Sequence, residues 1–245
     1  MKLNEIASKI KNKTTLRIKG VVDYSHIASK IAGEELARAN EYTKYPSKDP
    51  YYKMSIRITD SVIGDAFIFD KNDESATYLA AYLGSRVYQS KKEENRGKNY
   101  ISLISKGNEI RTYKKDAEGK LHKVELNGNE LASDLPIEIE VIYFETKFGS
   151  GVGINAVIIT APEIKTYEGN FGVKGYEIAD DTISLPARQA KVVDDVATAP
   201  GAAEETPVAD IASEVETEDE PVGSSSAPNN ASFESLLAQF KAGSN

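Results

Sequence analysis

Apolar and polar residues alternate with a period of two over much of the first 165 positions, the pattern of strands with one covered face. Residues 14–24 (TTLRIKGVVDY), 51–59 (YYKMSIRIT) and 64–69 cluster β-branched and aromatic side chains between turn-forming residues and predict three strands. From 98 onward, 99–105, 108–115 and 120–126 follow one another across short Gly-containing turns, Lys106-Gly107-Asn108 and Asp116 to Gly119. Residues 137–145 and 152–160 then flank Gly149 to Gly153. Connections this short predict an antiparallel meander.

Two segments carry helical spacing instead. Residues 26–41 place Ile27, Ile31, Leu36 and Ala39 on one stripe, and 74–89 place Tyr78, Leu79, Tyr82, Leu83 and Tyr88 on another, with Asp73 as N-cap. The predicted fold class is mainly β: an OB-fold-like antiparallel barrel with one or two inserted helices, plus a disordered acidic tail. The predicted division is a body over 1–180, a linker over 181–230 and an amphipathic motif over 231–241. The linker lacks aromatic residues beyond 193 and cannot bury enough apolar area to offset ordering. At its end ASFESLLAQFK sets Phe233, Leu236, Leu237 and Phe240 at i, i+3, i+4 and i+7, the stripe of a partner-docking helix.

Charge changes the picture. Residues 1–192 hold 29 Lys+Arg against 27 Asp+Glu, whereas 193–245 hold one basic residue, Lys241, against 11 acidic ones. The acidity of the chain therefore belongs to the tail, and a tyrosine-rich body of balanced charge carries its own polyanion. The absence of cysteine removes disulfides, thiolate metal sites and thiol nucleophiles together. No run approaches the length of a membrane span, and MKLNEIASKIKNK lacks the apolar core of a secretory signal, so a cytoplasmic protein without membrane contact is expected.

Catalysis and metal chemistry find little footing. His26 and His122 are far apart and neither has a carboxylate or second histidine at ligand spacing in the sequence. Asp180-Asp181, Asp194-Asp195 and Glu204-Glu205 fall at or beyond the edge of the body. Gly149-Ser150-Gly151-Val152-Gly153 lacks the Lys-Ser/Thr and the following helix of a phosphate loop. The expectation is a non-enzyme without cofactor or metal.

The stretches VVDYSHIASK (21–30), YYKMSIRI (51–58), NYISLISKGNE (99–109) and PIEIEVIYFETKFGSGVGINAVIITAPEI (136–164) resemble phage-encoded single-stranded DNA-binding proteins, in which an OB-fold precedes an acidic tail. The similarity covers residues 14–167 as a pattern of strand, aromatic and glycine positions, and the tail as a composition. The resemblance implies coating of exposed DNA in replication, recombination or repair inside an infected bacterium, with the tail contacting replication or recombination proteins. The chain departs from the family in ending on an amphipathic segment and Ala-Gly-Ser-Asn rather than on acidic residues with a terminal aromatic.

The residues supply the matching chemistry. Binding single strands without sequence preference needs cations for phosphates and flat rings for bases, each stacked base contributing about 1–3 kcal/mol. Alternation sets Lys53 and Arg57 opposite to Tyr52 and Met54, and makes Tyr100, Arg111 and Tyr113 candidates for one exposed surface. Lys98, Lys114, Lys115, Lys147 and Phe148 add charge and a ring beside them. The expected partners are single-stranded DNA and, through Phe233, Leu236, Leu237 and Phe240, a replication protein, with homo-oligomers compatible. The alternative is a phage structural or assembly protein with a β-rich body and a C-terminal docking helix.

Overall fold

The computed structural model describes residues 3–43, 46–90, 93–146, 149–168, 172–176 and 182–187, together with Ser235, Leu237, Ala238 and Phe240. Among these the architecture is mainly β. In chain order come α1 (Leu3–Ala7), β1 (Thr15–Ile31), α2 (Gly33–Glu41), β2 (Tyr51–Ile58), β3 (Phe67–Ile68), α3 (Glu74–Gly84), β4 (Tyr88–Gln89) and β5 (Asn99–Ser105). They are followed by β6 (Arg111–Lys115), β7 (Leu121–Glu125), β8 (Pro136–Thr146), β9 (Gly149–Ile159), β10 (Ile164–Glu168), β11 (Gly172–Tyr176) and β12 (Thr182–Ser184). One sheet runs β12-β7-β6-β9-β8-β1-β2-β5-β4, with β3 joined to β1, and β10 and β11 form a separate ribbon.

The long first strand organises this sheet. Its first half pairs with β8 from Thr15↔Ile142 to Val21↔Pro136, and its second half pairs with β2 from Val21↔Arg57 to Ile31↔Tyr51. The two partners part at Gly20. A Cβ there would stand 2.6 Å from the Arg57 carbonyl oxygen, closer than real side chains approach backbone, so only glycine lets β2 come in at this point.

The inner face of the sheet holds the core. Leu16, Ile18 and Val22 of β1, Met54 and Ile56 of β2, Ile101 and Leu103 of β5, Ile137, Ile139, Val141 and Tyr143 of β8 and Val157 and Ile159 of β9 are all buried on it. α3 closes one end with Leu79 and Leu83. Its N-terminus is fixed as the sequence predicts, the Asp73 carboxylate accepting from the Ser75 and Ala76 amides. α1 is tied to β8 by the Tyr143 hydroxyl, which donates to the Ala7 carbonyl at 3.1 Å.

Four expectations need correction. The sheet is open and mixed, without a ladder between β5 and β9, and β6 pairs in parallel with β9, as β12 does with β7. The meander holds for the β6–β7 and β8–β9 hairpins but not between β5 and β6, which are consecutive yet lie in different halves of the sheet. The helix over 26–41 begins only at Gly33. Ile27 and Ile31 are both buried in strand β1, since a spacing of four returns a side chain to the same face in either geometry. The Glu130 carboxylate accepts from the amides of Ile27 (2.8 Å) and Ala28 (3.0 Å) and from the Ser25 hydroxyl (2.9 Å), which holds this stretch extended where its register with β2 slips.

The body also extends past residue 180. β12 joins β7, Ile183 and Leu185 are buried, and Asn127 and Asn129 donate to the Leu185 and Pro186 carbonyls. Most of the 181–230 linker lies outside the described residues.

Candidate nucleic-acid interface

Register places one ladder of side chains across the outer face of the sheet: Tyr88 of β4 stands opposite Tyr100 of β5, Tyr100 opposite Arg57 of β2, and Arg57 opposite Val21 of β1. The Tyr88 and Tyr100 rings stack with centroids 5.9 Å apart and planes 27° from parallel. Tyr100 is 3% exposed, and burial, with Asp23 adding to it, raises its hydroxyl above the usual tyrosine value while Arg57 pulls it back. Tyr88 lies over it at 41% exposure, so a ring held from beneath is open to solvent above.

The row next to it is more tightly packed. Ser102 of β5 donates to Ser55 of β2, and Tyr24 of β1 stands opposite Ser55. Burial, then Glu35, Glu130 and Tyr51, push the Tyr24 hydroxyl up to about 12, so the ring is neutral and polar-tipped at any ordinary pH. Lys53 is buried between His26 of β1 and Ile104 of β5, not exposed along a groove as alternation alone suggests. β2 is an interior strand and is covered on both faces.

Arg57 is half-buried and reaches the Asp134 carboxylate at 2.7 Å, an acid 72% exposed. Lys98 is exposed just before β5 and donates to Asn95. Arg57, Lys98 and Tyr100 are therefore brought to one region, with Tyr88 as a ring that sequence reasoning placed on a helical stripe instead.

The remaining candidates lie elsewhere. Arg111, Tyr113 and Lys115 sit on β6, across β9, β8, β1 and β2 from β5 in the sheet order. Arg111 donates to Asn155 at 2.7 Å, Tyr113 is half-buried, and Lys115 shares Glu138 with Arg17, at 3.6 and 2.8 Å. Lys19, on the same stretch of outer face, pairs with Asp60 at 3.1 Å. A shallow cleft of about 520 Å³ opens between Lys19, Lys115, Asp116 and Glu138, with cations and carboxylates facing each other across it.

Lys114 cannot join Tyr113 and Lys115, because three consecutive strand residues do not share a face. It is buried, its ammonium donates to the Lys115 carbonyl at 2.7 Å, and burial lowers its pKa against the opposing pull of Asp116. Lys147 and Phe148 lie outside the described residues, but the neighbouring Phe144 is exposed and its ring covers Gly151 of β9, where a Cβ would come within 3.0 Å.

Both histidines have carboxylate neighbours that their sequence separation hides. His122 donates to Asp116 at 2.7 Å, and His26 lies 2.9 Å from Glu35 and 3.8 Å from Glu130. Neither pair is joined by further ligands: among the described residues no group of three or more His, Cys, Asp or Glu could hold a metal ion. Among the same residues no helix is long and apolar enough to cross a membrane.

Of the partner-docking stripe, Leu237 and Phe240 are described, both helical, while the side chains of Phe233 and Leu236 lie outside the described residues. Phe240 is 3% exposed and packs edge-on against Phe67 of β3 and against Phe69, at 5.3 and 6.0 Å between centroids.

No family model, curated protein or solved structure matches this chain.

Proposed function

We propose that the body binds single-stranded nucleic acid, without catalysis, on the outer face of the sheet at its β4–β5 edge, around Tyr88 and the Arg57 guanidinium that emerges from β2. The observation that carries the reading is the Tyr88–Tyr100–Arg57 ladder: an exposed ring fixed by stacking, beside a guanidinium whose partner is a solvent-facing acid. Such a ring offers a platform to any base, and a surface ion pair worth at most about 1 kcal/mol yields readily to a phosphate.

Strand order supports the same reading. The path β9-β8-β1-β2-β5 is the order of strands around an OB barrel, left partly open at the β5–β9 seam, where Ser105 Oγ lies 3.3 Å from the Cβ position of Gly153. In this architecture oligonucleotides bind over the second and third strands, here β2 and β5. On this reading the protein coats single strands during phage replication, recombination or repair, and its acidic tail competes for the face until DNA or a partner protein displaces it.

Titration of oligo-dT against duplex DNA at several salt concentrations tests this. The expected result is preference for the single strand, with a log–log salt slope of about −0.7 per phosphate neutralised. Absence of binding at low salt overturns the reading and favours the structural or assembly role, which the pairing of Arg17, Lys19 and Lys115 with carboxylates also suits.

A further inference from the structure

The C-terminal segment is seated on the body at a place remote in sequence from it. Phe240 enters a recess walled by Phe67 and Phe69 and floored by Gly64, whose Cβ position lies 3.7 Å from the Phe240 ring, and Leu237 packs half-buried against the same core. Gly64 belongs to the 3-10 turn Ile63–Ala66 that leads into β3. A Cβ there would meet the ring at ordinary van der Waals distance, so the ring already rests on the Gly64 backbone. An aromatic side chain buried to this degree against two edge-on rings is held by area burial and by ring geometry together.

We propose that the recess formed by Gly64, Phe67 and Phe69 is a peptide-binding site whose occupant is the chain's own C-terminal segment, inserted through Phe240 and Leu237. The docking is intrachain. Some 47 residues, 188–234, separate Ala187 from Ser235, and a span of that length has a contour far longer than the body is wide. Tethering also supplies an effective concentration that is in the millimolar range for short linkers and falls as roughly the −3/2 power of length, still above that of a second copy at micromolar concentration. An isolated helix of this length is marginal in water, so the recess is what makes the segment helical.

Docking has a consequence for charge. Residues 188–234 hold 11 carboxylates against two cations, and with Phe240 seated the segment is attached to the body at both ends. At one end Asn127 and Asn129 hold Leu185 and Pro186, and at the other the two phenylalanines hold Phe240. This site is independent of the nucleic-acid reading, which can fail while the recess still binds its peptide.

The test uses full-length chains and a fluorescein-labelled peptide of residues 231–245, read by anisotropy. Phe240→Ala empties the recess without touching the body, and the labelled peptide is expected to bind this variant saturably and the wild type at least tenfold more weakly. A peptide carrying the same Phe240→Ala change is expected to bind neither, and Phe69→Ala combined with Phe240→Ala to abolish binding of the native peptide. The peptide control decides specificity even if the Phe69 variant melts early by circular dichroism. Equal binding to wild type and Phe240→Ala, or binding to neither, overturns the proposal. Concentration-dependent self-association of the wild type that Phe240→Ala removes also overturns it, by assigning the recess to a second copy.

Discussion

The outer face of this sheet has two halves that divide at Gly20, and they use their charges in opposite ways. Over the first half of β1, with β8, β9 and β6, Arg17 and Lys115 converge on Glu138, whose side chain is 11% exposed. Over the second half, with β2, β5 and β4, Arg57 meets Asp134, which stands in solvent, and the surrounding side chains are tyrosines. A cation bound to a shielded carboxylate is structural, since removing either partner leaves a charge with its solvation lost. A cation bound to an exposed one can change partners at little cost. Balanced net charge over the body therefore conceals one half that is committed to the fold and one that remains available.

Gly20→Val breaks both halves at once and carries the largest expected effect. The new side chain meets the Arg57 carbonyl, so β2 must withdraw from β1, and overpacking of this kind costs about 3 kcal/mol. Urea unfolding monitored by tyrosine fluorescence reads it as a lower midpoint. An unchanged midpoint would mean that the two pairings of β1 do not depend on close approach at residue 20.

Tyr88→Ala separates the halves directly. Loss of the open ring is expected to weaken oligo-dT binding by about 2 kcal/mol, roughly 30-fold, with the far-UV spectrum and melting temperature preserved. Tyr113→Ala, on β6, is expected to change binding less than twofold. Reversal of that order would move the interface to the other half of the face.

How far the sequence reveals this arrangement depends on whether the decisive contact is local. The cap at Asp73 and the strands read over 99–105 and 51–59 follow from neighbours in the chain and appear as expected, whereas Gly149 to Gly153, read as the turn of a hairpin, lie inside β9 and pair with 142–146 of β8. The joining of Tyr88 to Tyr100, and the separation of Tyr100 from Tyr113, come from register between strands and have no local signal. Lys53 shows the limit of alternation: the period gives its face correctly but cannot tell that neighbours on β1 and β5 cover it. Two signals were present and readable. Asn127-Gly128 is a turn dipeptide, and the β-branched Thr182-Ile183 marks a last strand beyond the supposed end of the body. The amphipathic stripe of ASFESLLAQFK is legible in the sequence, whereas the recess that receives Phe240 is assembled from residues 64 to 69 and is not.

Asp134→Asn sharpens the comparison from the opposite direction. Asn tolerates the positive φ of 62° at this position, so the backbone is kept while the charge goes. Arg57 loses its competitor, and oligo-dT binding is expected to tighten by about 1 kcal/mol, roughly fivefold, at low salt. Glu138→Gln on the other half is expected to leave binding unchanged and to lower the melting temperature, because Arg17 and Lys115 then share an uncharged acceptor. Tightening by both variants equally would show that binding follows net charge rather than the ladder.

The smallest effect is expected at the rim between β6 and β7, on the structural half. Hydrogen bonding from His122 is the main cause that holds the Asp116 carboxyl below its ordinary value of 3.8, aided by the Lys120 amide at 2.7 Å and opposed by burial. A carboxyl with a depressed folded pKa binds fewer protons in the native than in the unfolded chain, so stability rises with pH across the window between the two values. Its contribution is complete above the unfolded value and is lost as pH falls through the folded one. Asp116→Asn abolishes that dependence at this site, and the difference in melting temperature between wild type and variant should shrink as pH is lowered from 6 to below 3.8. A gap that stays constant over that range would place the contribution of Asp116 in hydrogen-bond geometry that asparagine also lacks, and not in its charge.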